Sequence, residues 1–122
     1  MNAAEFSHKL RESFPELTEE LDDPVWAGLI HLETAVLARF AESAINRCDY
    51  ATLNRCYEFA GQAAAGGDPS IENAICVSFL EFILLDARTA EESEAERRLP
   101  NALRGLLSDL RAHWERLAKG RK

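Results

Sequence analysis

The sequence has no apolar run of the roughly 20 residues that a bilayer-crossing helix needs. Its longest, Ala74 to Leu85, is broken by Ser78 and Glu81. No membrane partner is expected. The N-terminal stretch MNAAEFSHKLRESF has no apolar signal core, so the cytoplasm is the expected location. Cysteine is scarce: Cys48, Cys56 and Cys76 are odd in number and form no CxxC pair. Cys56 and Cys76 lie in apolar surroundings and read as small core residues in a reducing compartment. Glycine and proline are also few, at six and four, and fall mainly where helices begin or end. Alternating β-branched runs of strand type are missing.

The motifs of common chemistries are missing as well. There is no HExxH, no paired ExxH of the bundle di-metal type and no GxSxG. Gly66-Gly67 lacks the lysine and the preceding strand of a phosphate loop. His8, His31 and His113 fall on three different expected helices, and His31 and Glu33, two apart, point in different directions. No catalytic residue, cofactor or metal is therefore expected.

What is present is helix. Of the 122 residues, 47% are hydrophobic and 29% charged, which is globular composition, and alanine, leucine, glutamate and arginine dominate. The central stretch is DPSIENAICVSFLEFILLD, Asp68 to Asp86. Asp68 can cap and Pro69 fits the first helical position. A helix apolar almost all round belongs in the middle of a core. Glu81 interrupts it, and two readings stay open. It is a carboxylate in a cleft, or it lies on a narrow exposed stripe or pairs with Arg39, Arg55 or Arg88. Asn73 reads as a polar residue making local hydrogen bonds.

Around this helix the others follow in order. Phe6, Leu10 and Phe14 predict a first helix that Pro15 stops at Ser13. Leu17 and Leu21 share a single turn inside the acidic segment PELTEELDDP. Asp23-Pro24 repeats the start signal of Asp68-Pro69 and predicts a second helix from Pro24 to about Arg47. Val25, Leu29, Leu32, Val36 and Phe40 form one stripe on it; Trp26, Ile30, Leu37, Ala41 and Ala44 form another. Gly28 would cost this helix about 1 kcal/mol relative to alanine, and a backbone passing close there is one reason for it. Asp49 caps a third helix, Tyr50 to Ala65, with Leu53, Cys56, Tyr57, Ala60 and Ala64 inward. Gly66-Gly67 ends it through the left-handed conformation, and a short turn to Asp68 makes a helical hairpin. A polar connector covers about 87–99, either a helical turn capped by Thr89 and Glu92 or a linker. Pro100 opens the last helix, to about Ala118, with Leu103, Leu106, Leu107, Leu110, Trp114 and Leu117 inward. The fold class is all-α. The expectation is a single helical domain, residues 1–122, forming a compact bundle of four to five helices, with stacked helical hairpins as one arrangement. No repeat recurs near a 34-residue period.

Charge is uneven. Residues 1–98 hold 8 Lys/Arg against 19 Asp/Glu, a net −11, whereas residues 99–122 hold 6 against 2, a net +4. The acidic body argues against a nucleic-acid partner. The basic end, Lys119, Arg121 and Lys122, suits a helix C-terminus. Acids gather in two clusters: Glu16, Glu19, Glu20, Asp22 and Asp23, then Glu91, Glu92, Glu94 and Glu96. They are either solvated charge or a docking face for a basic protein.

The segments FPEL, Asp49, IENAICVSFLEFI and LPNALRGLL, taken together, resemble a family of small bacterial all-helical proteins of uncharacterised function. Some of its members are encoded beside secreted polymorphic toxins as immunity proteins. The resemblance implies a helical fold, no catalytic residue, and structural roles for Asp49 and Asn73. Size, absent chemistry and acidic surface fit the same role: an immunity protein that covers the active-site cleft of a cognate toxin with its acidic clusters. The alternative is a helical adaptor that takes a peptide or partner helix in a groove. A homodimer stays open under both. An enzyme would need a pocket collecting Glu81 with a histidine.

Overall fold

The computed structural model describes residues 1–25, 28–85 and 89–119. Among these there is no strand. Seven helices follow one another: α1 (Ala3–Ser13), a 3₁₀ turn (Pro15–Leu17), α2 (Thr18–Leu21), α3 (Ile30–Asn46), α4 (Tyr50–Gly66), α5 (residues 69–84), α6 (Ala90–Arg97) and α7 (Asn101–Lys119). One buried cluster draws side chains from all seven, and Leu37, Leu53, Tyr57, Ile71, Ile75 and Leu80 are among its large members. The central position of α5 is as its sequence predicts. It packs on α3, α4, α6 and α7.

The start of α5 follows its local code. Asp68 Oδ1 accepts the Ser70 and Ile71 N–H groups at 3.1 Å, and Pro69 occupies the first turn. The middle departs from it. Residues 75–80 form a π-helical stretch in which the Glu81 N–H donates to the Cys76 carbonyl, five residues back. The buried positions Ile71, Ile75, Phe79–Leu80 and Ile83–Leu84 thus keep facing the core across a widened turn. Burial is not all round: Val77 and Phe82 are 45% and 50% exposed.

The second helix begins six residues later than Asp23-Pro24 predicts. Asp23 Oδ1 accepts the Val25 N–H at 2.9 Å and closes a turn. Gly28 has φ +82°, a left-handed conformation that no helix interior allows. Leu29 is extended, and α3 starts at Ile30. A Cβ on Gly28 would meet nothing within 4 Å, so conformation and not close backbone packing calls for glycine there. Val25, Leu29 and Leu32 consequently leave the expected inward stripe and are exposed. Trp26 lies outside the described residues, as do the end of the central helix at Asp86, the proposed Glu81 partner Arg88, the first two residues of the polar connector, and Arg121 and Lys122.

Cys48, not a glycine, takes the left-handed position that ends α3 (φ +56°), and the Asp49 N–H reaches back to the Ala44 carbonyl at 2.8 Å. Asp49 then caps α4, accepting the Thr52 N–H at 3.2 Å. Gly67, after α4, is not left-handed: its φ is −87°. A Cβ there would lie 2.6 Å from Ile71 Cγ2 and against the Ala63 carbonyl, so close approach fixes this glycine. From Thr89 onward the polar connector forms a helix, α6. Thr89 and Glu92 form the capping box, and Tyr57 donates its hydroxyl to the Ala95 carbonyl at 2.7 Å.

Candidate interaction surfaces

In both acidic clusters some members pair with arginines, Glu16, Glu20, Asp22 and Glu96 with arginines of other elements and Glu94 with two that follow it closely. Glu16 takes two bonds from Arg55, at 3.0 and 3.1 Å, which pull its pKa below the ordinary carboxylate value. Glu20 meets Arg39 at 2.9 Å, and Asp22 meets Arg11 Nε at 2.8 Å. Asp23 serves its turn, while Glu19 is exposed. In the second cluster Glu92 belongs to the capping box and Glu91 is exposed. Glu94 faces Arg97 and Arg98, and the Arg97 hydrogen bond does most to lower its pKa. Glu96 accepts from Arg111 at 2.6 and 3.0 Å and is lowered by that bond. Glu16, Glu20, Asp22 and Glu96 therefore tie elements of the fold together. Arg39 and Arg55, two of the partners considered for half-buried Glu81, are engaged this way.

Sequence reasoning missed the buried carboxylate. Glu33 is 1% exposed and accepts from Arg11 Nη1 (2.8 Å), the Ser7 hydroxyl (3.0 Å) and the Gly28 N–H (3.4 Å). A carboxylate at that depth persists because donors surround it. Its only sequence signal was a position on the inward side of α3, one turn before Leu37.

The histidines lie apart. His8 pairs with Glu12 at 3.1 Å, His113 is exposed beside Trp114, and His31 Nδ1 lies 2.9 Å from Ser78 Oγ. The last contact has the composition of a nucleophile and a base. Ser78 sits inside continuous helix, however, where neighbouring N–H groups are spent on helical bonds and none can hold an oxyanion. Cys56 is buried, and desolvation pushes its thiol up to about 12. Cys76, expected in the core, is half-buried, and Cys48 is exposed. Among the described residues no group of three His, Cys, Asp or Glu could hold a metal ion, and no helix is long and apolar enough to cross a membrane.

One face is apolar instead. Arg111 Nη2 donates to the Leu84 carbonyl at 2.6 Å and Nε to the Leu85 carbonyl at 3.3 Å, so α7 crosses the end of α5 at Arg111. Before that crossing Leu103 and Leu107 are buried. Past it Trp114 and Leu117, expected inward, are 39% and 41% exposed. Leu85, Arg111, Trp114, Glu115 and Ala118 line an open notch of about 430 Å³. Phe82 lies one turn before Leu85. The His31–Ser78 contact brings the start of α3, with exposed Leu32, to the other border of the same strip of α5.

The fold and these surfaces define an all-α protein whose exposed features are an apolar strip and acids tied to arginines. The chain belongs to the family described as Domain of unknown function (DUF7674), whose model matches residues 7–115. No curated protein matches it. No solved structure matches it.

Proposed function

We propose that this chain binds another protein and silences it, as a bacterial immunity protein silences its cognate toxin. The observation that carries the reading is the exposed side of α5. The most apolar helix of the chain leaves Val77 and Phe82 about half exposed, and Trp114, uncovered on α7, shares a notch with Leu85 just past the helix. Single exposed apolar residues are ordinary, whereas neighbouring ones on one face mark a surface that a partner covers. Tight complexes rest on a few such anchors, with aromatic side chains foremost.

Charge has a second role in this reading. Pairing with arginines cancels much of the acidic clusters locally, but the chain keeps a net −7. That field draws a basic partner from a distance and raises the association rate more than the final affinity. The partner would be a toxin with a cationic active-site cleft, held in a stoichiometric complex that closes the cleft.

The test is co-expression in a bacterial host. Products of genes neighbouring this one are expressed alone and with this chain. A product that stops growth alone, is harmless with the chain, and purifies with it at one-to-one intact mass supports the reading. Several partners held substoichiometrically, with no rescue of growth, would replace it with the helical adaptor.

A further inference from the structure

We draw no further inference here: the strongest candidate, the apolar strip of α5 that exposes Val77 and Phe82 and runs on to the notch between Leu85 and Trp114, is an unpartnered face, and nothing in the structure shows what covers it.

Discussion

A guanidinium nitrogen of Arg11 lies 2.8 Å from the carboxylate of Glu33, and that carboxylate is 1% exposed. The same guanidinium donates to Asp22 Oδ1 and to the Leu21 carbonyl at 2.8 Å, and to the Ser7 hydroxyl at 2.6 Å. One side chain of α1 therefore fastens the end of α2 and the first turn of α3. This also explains the late start of α3: the left-handed turn at Gly28 aims an N–H at the carboxylate of Glu33.

Arg11→Met strands the buried carboxylate of Glu33 and is expected to lower unfolding free energy by about 3 kcal/mol. Glu33→Leu leaves Arg11 partly exposed and still paired with Asp22, so a smaller loss is expected. The double variant Arg11→Met, Glu33→Leu should recover much of the loss, because neither charge is then stranded. Urea denaturation of the four proteins measures the coupling. Additive losses would show that the two side chains stabilise the fold independently.

The two Asp-Pro dipeptides show what local sequence can and cannot decide. At Asp68-Pro69 the next residues continue as helix, and the capping code holds in full. At Asp23-Pro24 the same code yields only a turn, because Gly28 is left-handed four residues on. Helix periodicity and caps were legible because they depend on neighbours within one or two turns. The fate of the acids was not. Glu16 finds Arg55 at a separation of 39 residues, and Glu96 finds Arg111 at 15. A carboxylate in sequence looks the same whether solvated or tied down. Glu33 was hidden for the same reason, since its burial depends on Arg11, 22 residues away. The exposed face of α5 was concealed by composition: a helix apolar all round gives no sign of which side its own chain leaves uncovered.

Two turn positions should respond with opposite signs. Gly67→Ala forces a methyl against Ile71 and the Ala63 carbonyl, and a destabilisation of about 1–3 kcal/mol is expected. Cys48→Gly relieves a left-handed non-glycine residue at the end of α3, and a gain of up to about 1 kcal/mol is expected. Thermal midpoints decide both. A Gly67→Ala protein as stable as the parent would mean that the α4–α5 junction can open to accept a side chain.

Acid should loosen the arginine-tied helices. Glu16, Glu94 and Glu96 have folded pKa values below their ordinary 4.5, through Arg55, Arg97 and Arg111 respectively. A depressed carboxylate pKa means that the unfolded chain binds protons first as pH falls. The stabilisation is therefore complete above about pH 5 and declines as pH drops below 4.5 through the folded values. Thermal midpoints taken from pH 7 to pH 3 should be level and then fall. Glu96→Gln should lower the plateau and make the acid decline shallower, because it removes one of the groups that drives the decline. A decline of unchanged steepness in that variant would exclude Glu96 as a contributor.

The first acidic cluster offers a way to separate a docking role from a structural one. Reversing Glu19, Glu20, Asp22 and Asp23 together to lysine removes the partners of Arg39 and Arg11 as well as surface charge. That variant is expected to melt lower, most of the loss coming from Asp22 and its link to the Arg11–Glu33 pair. The Glu20–Arg39 pair is half-exposed on both sides and contributes little. Glu19→Lys alone touches exposed charge and should leave the thermal midpoint unchanged. Against a basic partner it should slow association and weaken its salt dependence while leaving dissociation nearly constant, the signature of long-range steering. If Glu19→Lys has no kinetic effect and the fourfold variant binds poorly only where it has begun to unfold, this cluster is the buckle of α1, α2 and α3 and not the partner's landing face.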